Sequence, residues 1–143
     1  LAALQGERES FGFIHNDPHL WNLLYDFENV TVLDFDVANH HWFMTDIAIA
    51  CQHVLYMQSG GLHGPVHHLN RLVDFLEHFK AGYDTQYALP VSWWNRIDLF
   101  ISYRRLLMFT VTMDHRRASQ TQLRMMHTLL REEPEIMGAW VTV

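Results

Sequence analysis

The sequence predicts an α+β fold, mainly helical, in which a small antiparallel β-hairpin near the N-terminus is followed by about four helices. Three observations lead there. Two short apolar runs, Leu23-Leu24-Tyr25 and Val30-Thr31-Val32-Leu33, flank Asp26-Phe27-Glu28-Asn29, a four-residue loop with turn formers at both ends. Downstream of Thr45, apolar residues recur at helical spacing rather than in alternation. The 143 residues are 49% apolar and 18% charged, with 13% aromatics. That is less charge than the roughly 25% of a typical soluble domain, and it excludes a disordered tail, a collagen-like repeat or a charged linker.

Each element follows in order. Leu1 to Ser10 suits the last turns of a helix, with Leu1 and Leu4 on one face. Phe11 to Ile14 is a short apolar run that Gly12 weakens as a strand, and the polar stretch His15 to Asn22 leads into the hairpin. From Thr45 to about Met57, Ile47, Ala48, Cys51, Val54 and Leu55 mark a first helix with Thr45 at its N-cap, and Ser59-Gly60-Gly61 breaks it. A second helix is expected from Pro65, with Val66, Leu69, Leu72, Val73, Leu76 and Phe79 on one stripe and Gly82 to end it. Ser92 is placed to cap a third, carrying Ile97, Phe100, Ile101, Leu107 and Val111. Leu123, Met126 and Leu130 mark a fourth, from about Ser119 to Arg131, before Pro134 interrupts the pattern.

Several classes of function fall away. The formal net charge is -6, and the nine Arg and single Lys80 form no basic stripe, so nucleic acid is not an expected partner. Cys51 is alone and cannot form an internal disulfide. Apolar stretches such as Leu106 to Val111 end well short of the roughly 20 residues a membrane span needs. The chain begins at Leu1 with no signal-peptide pattern, and the expectation is a processed or cut cytoplasmic fragment.

The chemistry concentrates in His15-Asn16-Asp17-Pro18-His19-Leu20-Trp21-Asn22 and in Asp34-Phe35-Asp36. If the hairpin loop is Asp26 to Asn29, pairing partners sum to 55 and Asn22 lies opposite Leu33. Asp34 then emerges beside Asn22, and Asp17 reaches the same space from the polar loop. Two carboxylates and an amide oxygen are hard ligands that suit Mg²⁺, which fills the rest of its shell with water and phosphate oxygens. A nearby carboxylate that stays off the metal can orient a hydroxyl and accept its proton. Kinase catalytic loops place their base and metal-binding Asn five residues apart, with a further metal-binding Asp downstream. Asp17 and Asn22 have that spacing, and Asp34 follows.

On these residues the sequence resembles the aminoglycoside phosphotransferase and choline kinase group, which has a protein-kinase-like fold. His15-Asn16-Asp17 with Asn22, then Val32-Leu33-Asp34-Phe35-Asp36, look like that group's catalytic and metal motifs. His41-Trp42-Phe43-Met44-Thr45-Asp46-Ile47-Ala48 resembles its aromatic segment and helix start, and Phe75 to Tyr83 and Leu99 to Leu107 look like later helices. The resemblance covers roughly residues 11 to 110.

It implies that Asp17 is the catalytic base, that Asn22 and Asp34 hold Mg²⁺, and that Asp36 is an additional ligand to the metal or its water. Asp46 would fix the backbone of the catalytic loop and His15 would help hold it. ATP or GTP would be the phosphate donor and a small molecule's hydroxyl the acceptor. Trp21 stands where many members have a small residue, Val37 replaces a common third acid, and Asn16 stands where many have Gly. Trp42, Asp98 and Tyr103 are candidates to line the acceptor pocket.

The Gly-rich loop and strand Lys of such an enzyme have no counterpart before His15. Residues 1–143 are therefore expected to be a single domain, the C-terminal lobe, with the N-terminal nucleotide-clamping lobe missing and negligible activity on their own. The apolar excess is expected to form surface that the missing lobe and substrate cover, or that a second copy covers in a homodimer. Two other readings compete. One is a non-catalytic helical interaction module with a vestigial kinase loop. The other is a Mg²⁺-dependent phosphatase with Asp34 as nucleophile, which needs a downstream Lys that only Lys80 can provide. Loop Asp and Asn are ordinarily turn formers, and it is the joint spacing of Asp17, Asn22 and Asp34 that argues for chemistry. Among the 11 His, His63, His67, His68 and His40-His41 have no spacing that closes a zinc tetrahedron. Trp93-Trp94 and Met125-Met126 read as core.

Overall fold

A computed structural model describes residues 4, 7–58, 69–112 and 119–120. Its elements run β1 (Phe11–Ile14), a 3-10 turn (Leu20–Asn22), β2 (Leu23–Tyr25), β3 (Val30–Val32) and β4 (Asn39–Trp42), then α1 (Phe43–Gln58), α2 (Leu69–Asp84), α3 (Val91–Trp94) and α4 (Ile97–Thr112). The α+β, mainly helical reading holds. The fourth expected helix beyond its first two residues, the start of the second at Pro65, and His63, His67 and His68 lie outside the described residues.

β2 and β3 pair antiparallel in the expected register, Leu23 with Val32, Leu24 with Thr31 and Tyr25 with Val30. The turn is built by Asp26, whose Oδ1 accepts from the backbone N–H of Asn29 at 2.7 Å and of Glu28 at 3.1 Å. Those bonds, Asn29's first, lower the Asp26 carboxyl below its ordinary value. The hairpin leaves Leu24, Tyr25, Phe27 and Val30 exposed, so much of the apolar excess sits on this face.

A second antiparallel pair, β1 with β4, runs from Phe11 opposite Trp42 to Ile14 opposite Asn39. Asn-His-His-Trp shows no apolar alternation, so nothing local marks Asn39–Trp42 as a strand. Cross-strand rings stabilise it instead: Phe11 meets Trp42 edge-on at 5.5 Å, and Phe13 meets His40 at 5.6 Å. Gly12 leaves room for the Phe43 ring, which a Cβ there would meet at 2.8 Å and push aside. The Phe43 N–H donates to the Ser10 carbonyl at 2.9 Å, carrying the ladder straight into α1.

The core lies among the helices. Met44, Ile47, Ala48 and Cys51 of α1, Leu72 and Leu76 of α2, Trp93 and Trp94 of α3, and Ile97, Phe100 and Ile101 of α4 are all buried. α1 is central, packing against both α2 and α4. Burial of Cys51 pushes its thiol far up, so it behaves as a small apolar residue.

Three helix boundaries differ from expectation. Thr45 is no N-cap: α1 starts at Phe43, and buried Thr45 lies 2.6 Å by its Oγ1 from His41 Nδ1. The β4 strand hands its backbone directly to α1, so no free turn is left to cap. Gly82 does not end α2, which continues to Asp84. Ser92 caps nothing either; Pro90 is the N-cap of α3, and the expected third helix is split between α3 and α4. Among the described residues, no helix is long and apolar enough to cross a membrane.

Candidate active site

The polar loop between β1 and the 3-10 turn is held from three directions. From below, Asp46 in the first turn of α1 accepts the backbone N–H of His15 at 2.9 Å and of Asn16 at 2.8 Å, one on each carboxylate oxygen. Burial raises the Asp46 carboxyl above its ordinary value, and the two backbone bonds oppose that rise. The hairpin exit makes the second attachment. Asp17 N–H donates to His15 Nδ1 at 3.2 Å, so the ring proton sits on Nε2, which donates to the Leu33 carbonyl at 2.7 Å. The His15 ring is buried and rests on Phe35 with centroids 4.5 Å apart.

Asn22 is the hinge between loop and hairpin. It is buried; its Nδ2 donates to the Asp17 carbonyl at 3.0 Å, and its own carbonyl accepts the Leu33 N–H at 2.9 Å. Asp34 is therefore the next residue after one bonded to Asn22. It is exposed and sits in the left-handed region at φ 64°. Asp36 is exposed two residues further on.

Asp17 receives the third attachment. Its Oδ1 accepts from Arg104 Nη2 at 2.9 Å, and its Oδ2 lies 3.4 Å from His19 Nε2. The His19 ring stacks on His53 of α1 at 5.4 Å, and Trp21 meets His53 edge-on at 4.8 Å. Burial, followed by the neighbouring His19, lowers the basicity of His53. Neither Arg104, His19 nor His53 was singled out from the sequence as a site residue. A signal existed for Arg104: it follows Phe100 by one turn, on the stripe that buries Ile97, Phe100 and Ile101.

The departures in the motif have structural explanations. Trp21 is 65% exposed on the outside of the 3-10 turn, so its bulk needs no room within the loop. Asn16 has φ 67°, a region that favours Gly and that Asn tolerates, and its Nδ2 donates to the Val37 carbonyl at 3.3 Å. Val37, which stands where the resembling group commonly has a third acid, contributes its backbone carbonyl.

Among the acceptor-pocket candidates, Trp42 packs against Phe100, and Tyr103 stacks on His41 at 5.7 Å. Asp98 is half-buried in the first turn of α4. Lys80 bonds to Asp84 on its own helix, which gives the phosphatase reading no support.

Among the described residues, no group of three or more His, Cys, Asp and Glu side chains is arranged to hold a metal ion. What the loop offers is sparser: the Asn22 amide, whose nitrogen is already engaged and whose oxygen is left over, and the exposed Asp34 carboxylate. Two hard oxygen donors fit a Mg²⁺ that takes its remaining ligands from phosphate and water, and they do not fit a closed protein cage.

A model of the phosphotransferase enzyme family matches residues 1–94. An amicoumacin kinase of Bacillus subtilis (strain 168) is 28% identical over 109 residues, covering 76% of this chain and 32% of that protein. Among solved structures, amicoumacin kinase hAmiN in complex with AMP-PNP, Ca²⁺ and Ami superposes with a TM-score of 0.75 at 26% identity. That match covers 96% of this chain and 40% of the other. A microcompartment-associated aminopropanol kinase gives 0.66 at 25% identity, over 90% and 37% of the two chains. The chain thus spans about a third of the length of the curated relative it matches.

Proposed function

The chain belongs to the phosphotransferase enzyme family, and from that premise we propose that it is the C-terminal lobe of a kinase that moves a nucleotide's γ-phosphate to a hydroxyl of a small molecule. Residues 1–143 form that lobe as one domain, and the nucleotide clamp belongs to a separate N-terminal lobe. The observation that carries the reading is the way Asn22 ties Asp17 and the Leu33-Asp34 segment together, at 3.0 Å and 2.9 Å.

Each residue then has a task. Asp17 orients the acceptor hydroxyl and takes its proton. Asn22 Oδ1 and the Asp34 carboxylate would hold Mg²⁺, with Asp36 as a further carboxylate for the metal or its water. When bound, the metal neutralises charge developing on the transferred phosphate. Asp46 and His15 keep the loop backbone fixed, so that the base is already oriented when substrate arrives. The nucleotide is ATP or GTP; AMP-PNP in the complex with hAmiN supports ATP.

The acceptor is proposed to be a hydroxyl compound that also carries an amine. Aminopropanol, named for one of the similar kinases, is a compound of that kind and supports this. So does the net charge of -6, which favours approach of a cation. The test is ADP release by the full-length protein with ATP, Mg²⁺ and aminopropanol, amicoumacin or kanamycin. Turnover that disappears in Asp17→Asn supports the reading. A wild-type protein that binds neither nucleotide nor Mg²⁺, with Asn22 and Asp34 amide resonances unmoved by both, favours the vestigial interaction module.

A further inference from the structure

We infer that Arg104 is a positioning residue for the proposed base: it pins one oxygen of Asp17 and thereby presents the other to the acceptor hydroxyl. The inference deepens the phosphotransferase reading and rests on it. Arg104 lies on α4, 87 residues from Asp17 in the chain, and its Nη2 reaches Asp17 Oδ1 at 2.9 Å. The Arg104 side chain is only 14% exposed, while that of Asp17 is 30% exposed. A cation on the core-facing stripe of a helix is unfavourable unless it is paired, and a Leu at this position would bury without that penalty.

Stability alone explains the pair poorly. Its carboxylate is partly solvated, and ion pairs of that kind contribute little. Orientation explains it better. The contact is made through one guanidinium nitrogen, Nη2, while Arg104 Nε, though buried, has no partner among the described residues. It engages a single carboxylate oxygen. The other, Oδ2, has His19 Nε2 at 3.4 Å, beyond a good hydrogen bond, so its lone pairs remain available to a hydroxyl. Asp17 is anchored to the loop through its backbone N–H and carbonyl. Arg104 adds the side-chain restraint those bonds lack.

The test uses the full-length protein, with ATP, Mg²⁺ and aminopropanol or amicoumacin as acceptor probes. Arg104→Met is expected to lower kcat by about 100-fold, the cost of a base misplaced by roughly 1 Å, with KM for ATP within about twofold of wild type. Arg104→Lys should recover part of the loss. In an Asp17→Asn background, Arg104→Met should change the residual rate less than about twofold, because the two residues act as one unit. A kcat for Arg104→Met near that of wild type overturns the inference, as does a loss that multiplies with that of Asp17→Asn. If thermal unfolding shows that Arg104→Met does not fold, Arg104→Gln carries the same measurements. Absence of wild-type turnover on every acceptor refutes the proposed reaction and the inference with it. That result is distinct from an active wild type with an equally active Arg104→Met.

Discussion

Asp46 offers the sharpest test of how this loop is held. Replacing it with Ala removes the acceptors of two backbone N–H groups, at 2.9 Å on His15 and 2.8 Å on Asn16. His15 is buried and its N–H has little access to water; Asn16 is half-buried and rehydrates more readily. Each orphaned donor costs about 1–3 kcal/mol, and relief of the buried carboxylate offsets part of the sum, leaving a net loss of about 2–4 kcal/mol. With a urea dependence of about 2 kcal/mol per molar, the unfolding midpoint should fall by about 1–2 M.

The assay is urea unfolding of the chain followed by tryptophan fluorescence, with hydrogen exchange at the His15 and Asn16 amides. A loss below about 0.5 kcal/mol with those amides still protected would mean that Asp46 does not hold the loop. A pH arm separates the carboxylate from its geometry. Burial raises the folded-state value of Asp46, so the folded chain binds the proton more tightly than the unfolded chain. The stabilisation this brings is fully present below the ordinary value of 3.8 and is lost as pH rises through the raised folded value. The wild-type advantage over Asp46→Ala should therefore shrink over that interval. An advantage that grows there would contradict the burial argument.

Further outcomes are expected. Asn16→Gly should fold at least as well as wild type, whereas Asn16→Val should lose about 1–2 kcal/mol in urea unfolding, because φ is 67° and a β-branched residue is strained there. Phe100→Ala, at a fully buried α4 ring packed against Trp42 and Trp93, should cost about 3–5 kcal/mol and lower the thermal midpoint in calorimetry. The 143-residue chain alone, given ATP, Mg²⁺ and aminopropanol, should release no ADP above a blank, since no Lys precedes Lys80 to pair the phosphates. In the full-length protein, Asp17→Asn should retain its fold by circular dichroism and lose about 10²–10⁴-fold in turnover, the contribution of a general base.

Local chemistry made part of this protein legible in its sequence. The hairpin could be placed residue by residue, because an Asp that caps its own turn sets the register and alternating pairing does the rest. The spacing of Asp17, Asn22 and Asp34 could be read for the same reason, being local along a loop and one hairpin. Helix cores at Ile47, Leu72, Leu76 and Phe100 followed from periodicity.

Other features depend on groups distant in sequence, and only the tertiary structure decided them. Strand β4 exists because Trp42 and His40 meet Phe11 and Phe13 across it, not because its own residues favour extension. Asp46 braces backbone 31 residues away, a role the family resemblance implied but no local pattern carried. The partner of Asp17 comes from α4, where a charged residue on a core-facing stripe, within the segment that resembles a later helix of the family, is the visible sign. Short-range hydrogen bonding writes the loop and the hairpin into the sequence; the orientation of the carboxylate at their junction arises only when the helices pack.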